Sequence, residues 1–268
     1  MTILDDIIKY KRIEEVPRHM EAREPAMVQA EAALAAKPND FVAALRASDR
    51  VALIAEAKKA SPSKGLLRPH FDPVELATTY ADNGASAISV LTDAKYFQGK
   101  LEYLTQIRQH LSQHCDRIVP VLRKDFIVHP YQVYEARAAA ADAVLLIAAV
   151  LKDKEMADLL ALTRKLKMTA RIEVHNKKEL ERVLPLKPRL IGVNNRDLRD
   201  FSVDLNTCIE LRQYVPDEVC FVAESGIRTA ADVTRLAKEG IDAILVGEAL
   251  VKAKDVGVKV SELVDYPG

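Results

Sequence analysis

Tryptophan is absent from this 268-residue chain, and glycine is scarce at nine residues. Aromatic residues make up only 5 % of the chain, so the core must be aliphatic, as a 49 % hydrophobic composition allows. The three cysteines, Cys115, Cys208 and Cys220, are odd in number and far apart. That spacing gives no disulfide framework and no metal or redox motif, and it fits a reduced, cytoplasmic protein. Net charge is also missing, because 39 basic residues balance 39 acidic ones. This removes the electrostatic footprint of a nucleic-acid or anionic-membrane binder. The longest apolar run, residues 143–151, is far too short to span a membrane. The opening MTILDDIIKYKRIEEV is charged and amphipathic, unlike a signal peptide. The histidines (19, 70, 110, 114, 129 and 175) are scattered. Asp93, Asp125 and Asp197 lie at strand ends but in no ligand spacing, so neither a metal nor a cofactor is expected. No Walker loop and no Ser-His-Asp elbow is present.

What is there is a regular alternation. From residue 51 onward, short apolar runs near 51–58, 87–91, 118–123, 143–147, 169–174, 190–194, 219–224 and 243–247 read as buried strands. Helical patterns fall between them at 73–83, 101–114, 130–141, 153–167, 177–184, 205–214 and 229–239. Asp72-Pro73 has the form of an N-cap followed by proline at the first helical position, and Gly84 and Gly240 sit where helix C-caps belong. Eight strand–helix units predict an α/β (β/α)8 barrel. An open doubly wound sheet is the alternative, disfavoured by the missing glycine-rich first turn. Residues 1–48 carry amphipathic helices (Ile3, Leu4, Ile7 and Ile8, then 27–34 and 41–45) and read as an extension packed on a barrel of residues 49–268.

The stretch 54–65, IAEAKKASPSKG, is the most informative segment. A buried apolar strand ends in charge, and alternation puts Glu56 and Lys58 on one face. Buried charges are costly unless paired or used. Other strands end likewise: Arg123, Lys124 and Asp125 on the third, Glu173 on the fifth, Asn194 and Arg196 on the sixth. Glu224, Ser225 and Gly226 end the seventh, and Gly247 and Glu248 the eighth. So many polar strand ends at one mouth point to an active site at the C-terminal face of a barrel. Gly65, Gly99, Gly226 and Gly247 follow strands one, two, seven and eight, where backbone can approach a ligand. The turns after strands seven and eight have the form of a phosphate site. Alternation turns His175 away from the interior, so it reads as structural or as a rim residue.

Nine segments in order resemble the indole-3-glycerol phosphate synthase family. They are EAKKASPSKG (56–65), FDP (71–73), SAISVLTDAKYFQG (86–99), VLRKDFIVHPYQVYEAR (121–137), ADAVLLI (141–147), IEVHN (172–176), IGVNNRDLRDFSVDL (191–205), VAESGI (222–227) and LVGEAL (245–250). The resemblance implies a (β/α)8 barrel that closes, decarboxylates and dehydrates a carboxyphenylamino-deoxyribulose phosphate without a cofactor. It implies Lys124 as general acid at ring closure and Glu173 as the carboxylate that takes a proton in dehydration. Lys58 would contact substrate and share acid duty, with Glu56 positioning it, and Asn194 and Glu224 would complete the polar mouth. Arg196 would hold the substrate carboxylate, and Ser61, Phe97 and Phe126 would line the pocket. Ser225, Gly226, Gly247 and the Glu248 backbone, with Lys58, would bind phosphate. The implied partner is a phosphorylated small molecule. The resemblance is compatible with a monomer and leaves docking to other enzymes open. Two positions depart from the family pattern. Arg171 stands where an aliphatic residue is usual and needs a buried partner. Ala57 stands where a larger residue is common and is expected to face the helices. An isomerase barrel with the same phosphate turns, and a non-catalytic barrel subunit, remain the competing readings.

Overall fold

The computed structural model describes residues 2–62, 64–197 and 202–266, so parts of the 56–65 and 191–205 motifs lie outside the described residues. Eight parallel strands close into a barrel: β1 (Ala52–Ala57), β2 (Ala87–Leu91), β3 (Val121–Lys124), β4 (Ala143–Ile147), β5 (Thr169–Val174), β6 (Leu190–Asn194), β7 (Cys220–Glu224) and β8 (Ala243–Val246). They pair in sequence order, and β1 closes on β8 through Ile54 beside Leu245. Fourteen α-helices lie among the described residues. α1 (Ile3–Tyr10), α2 (Val16–Ala22), α3 (Pro25–Leu34) and α4 (Phe41–Leu45) precede the barrel. Around it run α5 (Pro73–Asp82), α6 (Ala94–Phe97), α7 (Leu101–His114), α8 (Pro130–Ala138), α9 (Asp153–Lys165), α10 (Lys177–Val183), α11 (Asn206–Arg212), α12 (Ala230–Lys238), α13 (Glu248–Val251) and α14 (Val256–Val264).

The helix ends follow the local chemistry. Asp72 Oδ1 accepts from the N–H groups of Val74 and Glu75, each at 2.9 Å, and Pro73 opens α5. Gly84 and Gly240 take positive φ of 101° and 71° at helix C-termini, where a side chain would be strained. Beyond the sequence reading lie α2, α6, α13, α14 and a two-stranded ribbon joining residues 60–61 to 65–66.

Period-two alternation sorts each strand into an outer and an inner face. Leu53, Ala55 and Ala57 face the helices, with Leu76 and Tyr80 in the outer core, so Ala57 is a packing residue. A second core fills the lower barrel, built from Ala52, Ile54, Ala87, Leu122, Ala143, Leu190, Cys220, Val222, Ala243 and Leu245. Phe41, Val42 and Leu45 of α4 complete it, so α4 plugs the bottom of the barrel. Asp40 caps that short helix through Val42 and Ala43 N–H, both 3.1 Å from Oδ1. Truncating the fully buried Phe41 to alanine is worth about 3–5 kcal/mol on the usual scale for core aromatics.

At the other end, α1 lies across the barrel mouth. A capping box of Thr2 and Asp5 starts it. It runs into a π-helical turn, Lys11–Glu15, a local widening often found where function needs it. That turn carries a fully buried ammonium. Lys11 Nζ lies 2.9 Å from Asp93 Oδ2 and 2.7 Å from Asp125 Oδ1, and it also pairs with Glu15. Arg123 joins the cluster through Asp125 at 3.1 Å and Glu135 at 3.2 Å. Strand alternation turns Arg123 outward, and Asp125 lies beyond the end of β3. Asp125 thus ties the extension to the barrel wall at the edge of the mouth, and Arg123 holds Asp125 from outside the interior polar set. The carboxylates of Glu15, Asp93 and Asp125 come within 4.8 Å of one another, a spacing that would suit a cation, and Lys11 occupies that place. Sequence spacing concealed this cluster because its members come from three separate elements.

Candidate active site

A cavity of about 590 Å³ opens at the C-terminal ends of the strands. Its floor is apolar, from Leu91, Leu145, Ile147 and Leu245. Ile3, Leu4 and Ile7 of α1 form part of its wall, a role the sequence reading assigned only to packing. Polar groups converge above that floor. Glu56, Lys58, Ser61, Phe97, Lys124, Phe126, Glu173, Asn194, Arg196, Glu224, Ser225, Gly226, Gly247 and Glu248 all line it, so every proposed site residue reaches one cavity. A mostly apolar concavity with a few convergent charges is the usual form of a small-molecule site.

The inner face of each strand explains the convergence. Glu56 follows Ile54 by two residues on β1, Lys124 follows Leu122 on β3, and Glu224 follows Val222 on β7. Glu173 pairs in register with Gly192, and Asn194 pairs with Glu224. The upper layer of the barrel is thus charged, and the lower layer is aliphatic apart from Arg171.

Glu173 is the hub. Its Oε2 faces Lys124 Nζ at 3.5 Å and Arg171 Nη2 at 3.4 Å. Its Oε1 accepts from Asn194 Nδ2 at 3.2 Å. Burial raises the carboxyl's pKa, but Lys124, His175 and Arg171 together hold it well below the usual range. Lys124 Nζ also lies 3.9 Å from Glu224 Oε2, so one ammonium serves two carboxylates. Lys58 pairs with Glu56 at 2.7 Å. Glu56 is likewise lowered: burial opposes its charge, and Lys58, Lys124 and Arg171 outweigh it.

Arg171 lies fully buried one layer beneath, as its inward position on β5 requires. Its Nη1 forms an ion pair with Glu224 Oε1 outside hydrogen-bond geometry, and its Nε has no acceptor. Burial lowers its pKa, and Glu173 and Glu56 counter that loss.

Two expectations change and one residue is added. His175 does not turn away: β5 ends at Val174, so alternation no longer applies, and Nε2 comes back to 3.4 Å from Glu173 Oε1. Gly99 follows α6, and a Cβ there would lie 3.0 Å from Asp93 O, so its small size serves backbone packing. Asn195, missed in the sequence, braces the turn after β7. Its Nδ2 donates to Ser225 O at 3.2 Å, and its Oδ1 accepts from Cys208 N–H at 3.0 Å. The doubled asparagine of GVNNRD was the only available signal.

The turn it braces is strained. Ser225 has φ 66° and Gly226 φ 84°. A non-glycine residue in the left-handed region costs about 1–2 kcal/mol and marks a backbone held for a purpose. Gly247 caps α13 beside it, and a Cβ there would meet Glu56 Oε1 at 2.6 Å. The first turn of a helix presents backbone N–H groups outward, which suits an anion.

Fold and mouth together define a (β/α)8-barrel enzyme with paired lysine and carboxylate groups beside two glycine turns. The family model for indole-3-glycerol phosphate synthase matches residues 4–263. The chain is 53 % identical over 264 residues to the indole-3-glycerol phosphate synthase of Roseiflexus sp. (strain RS-1), covering 98 % of each. It is 46 % identical over 268 residues to that of Rhodopirellula baltica, covering 98 % of this chain and 99 % of the relative. The chain belongs to the indole-3-glycerol phosphate synthase family. Among solved structures it resembles a 3-hexulose-6-phosphate synthase from Salmonella typhimurium (TM-score 0.65, 12 % identity, 81 % of this chain and 98 % of that one). It also resembles a thiamine phosphate pyrophosphorylase from Pyrococcus furiosus (TM-score 0.60, 20 % identity, 81 % and 96 %). These two likenesses concern the fold alone. Membership supports the first of the three readings that the sequence left open.

Proposed function

We propose that this chain converts 1-(2-carboxyphenylamino)-1-deoxyribulose 5-phosphate to indole-3-glycerol phosphate, with Lys124 as acid and Glu173 as base. The observation that carries the assignment is Lys124 Nζ placed 3.5 Å from Glu173 Oε2 inside the cavity. An acid and a base in one desolvated mouth can serve successive steps on a bound substrate.

The ring carbon bearing the carboxylate attacks the ribulose carbonyl, and Lys124 delivers a proton to the oxygen. Carbon dioxide leaves, and its bonding pair restores the aromatic ring. The new hydroxyl departs as water with a proton from Lys58, which Glu56 holds at 2.7 Å. Glu173 takes the adjacent C–H proton, and the indole double bond forms. Two protons are given and one is taken, so each turnover consumes one proton from solvent, as decarboxylation requires. Protonated Glu173 sits within reach of neutral Lys124 and can restore it directly.

Arg196 binds the substrate carboxylate, and Ser61, Phe97 and Phe126 flank the aromatic ring. Phe97 and Phe126 lie 6.1 Å apart at their centroids, a tilted pair able to border a planar ligand. The backbone at Ser225, Gly226, Gly247 and Glu248 receives the phosphate, with Lys58 near. Residues 1–48 act as an extension that completes the site of the barrel (49–268) as one unit. The free thiols support a cytoplasmic setting. No helix among the described residues is long and apolar enough to cross a membrane. The chain lacks tryptophan, so indole product stands out by fluorescence. Incubation with substrate alone should give indole emission and CO2 in equal amounts. Silence in both signals would refute the assignment.

A further inference from the structure

The two oxygens of Glu173 are held differently. Oε2 faces Lys124 and Arg171, whereas Oε1 faces Asn194 and His175. In the reaction proposed above, Lys124 gives up its proton at ring closure and loses its charge. Arg171 is divided between Glu173 and Glu224. Besides Arg171, the cationic group that faces Glu173 is the imidazole of His175.

That imidazole is built into place. Its side chain is 10 % exposed, and Nδ1 lies 3.1 Å from Glu179 Oε2 on α10. Glu179 is itself fixed. Its Oε2 accepts from the His175 N–H at 2.9 Å, and its Oε1 accepts from Asn176 Nδ2 at 2.9 Å. Its own N–H donates to Asn176 Oδ1 at 3.0 Å, which caps the helix. Nε2 is buried, faces Glu173 Oε1 at 3.4 Å, and makes no hydrogen bond. It therefore acts on Oε1 as a neighbouring charge. Among the described residues, no hydrogen-bond partner of Nε2 competes with Glu173.

We propose that His175, braced by Glu179, is a positioning residue that keeps Glu173 an oriented anion for the dehydration step. This rests on Glu173 being the proton acceptor. The charged groups around the imidazole are Glu173 on β5 and Glu179 on α10. Both hold its proton against the effect of burial, and its pKa rises to about 9. The group is thus an imidazolium at neutral pH.

The test uses the full chain with His175→Gln, His175→Ala and Glu179→Gln. The readouts are kcat and KM against pH, and CO2 and indole followed in single turnovers. For the His175 variants, indole formation should slow about tenfold with KM within about threefold, and CO2 should appear first. Without the cation, Glu173 accepts protons more readily, so the acid limb should rise by about one pH unit. In Glu179→Gln the imidazolium loses its brace, so the alkaline limb should move to lower pH. Glu179→Gln also keeps the question answerable if the His175 variants fail to fold. If Glu173→Gln separates CO2 from indole while the His175 and Glu179 variants keep both limbs and both signals unchanged, the positioning role is wrong and the base assignment stands. If Glu173→Gln leaves the two signals synchronous, both ideas fail.

Discussion

Gly192 leaves the space that Arg171 fills: a Cβ at Gly192 would stand 3.1 Å from Arg171 Nη1 and would collide with Glu224 Oε1. The two sit on neighbouring strands, Gly192 level with Glu173 and Arg171 one layer beneath. Glycine is required here by close approach, because its backbone is an ordinary strand.

Gly192→Ala should therefore displace the Arg171–Glu224 pair. Overpacking of this kind costs about 1–3 kcal/mol. Chemical denaturation should show the loss, and kcat should fall with it. Wild-type stability and turnover in this variant would mean that the pair tolerates movement.

Arg171→Leu removes a guanidinium whose Nε has no acceptor, while Glu173 and Glu224 keep Lys124. The stability cost should be small. The pH effect should be clear. Glu173 is held below the usual carboxylate range, so it stays charged as pH falls through that range. Losing one adjacent cation raises its pKa, and the acid limb of kcat should move up by about one unit. An unmoved limb would show that Arg171 does not influence Glu173.

Lys11→Met is expected to be far more damaging. It leaves three buried carboxylates around an uncharged side chain, a loss on the order of 3–5 kcal/mol. The ammonium's pKa is raised and that of Asp125 is lowered. The Lys11 contribution is complete below the ordinary lysine pKa and is lost only as pH rises above it. The Asp125 contribution is present above the ordinary aspartate pKa and is lost as pH falls well below it. The wild type should thus hold this cluster across the whole neutral range. Urea unfolding at several pH values measures both the loss and its flatness, and a cost under about 1 kcal/mol would contradict the tether.

The glycine turns make a pair of contrasting variants. Gly247→Ala would press on Glu56 as well as on the anion cradle, so kcat should fall along with a rise in KM. Ser225→Gly keeps the backbone and relieves a positive φ of 66°. Its KM should stay within about threefold, and its melting temperature should hold or rise slightly. A rise in KM above tenfold for Ser225→Gly would move phosphate binding from the backbone to the hydroxyl.

The barrel was legible in the sequence because buried parallel strands read as short apolar runs and charge sits at their ends. Glu56, Lys124, Glu173 and Glu224 could be placed by alternation alone, and so could buried Arg171. Alternation failed one residue past a strand end, at His175. It gave no warning that Asp125 would turn to Lys11, since that contact joins residues 11, 93 and 125 through tertiary packing. The reach of Ile3, Leu4 and Ile7 over the mouth was hidden for the same reason. Amphipathicity shows that a helix has an apolar face but not what it covers.

Lys124 and Glu173 are proposed to act in different steps. Single-turnover measurement of CO2 and indole together tests this most directly. Lys124→Met should slow both signals equally, by roughly 100- to 10,000-fold, because ring closure precedes both. Glu173→Gln should release CO2 at close to the normal rate and delay indole. Synchronous signals in Glu173→Gln, or near-full turnover in Lys124→Met, would contradict the division of labour.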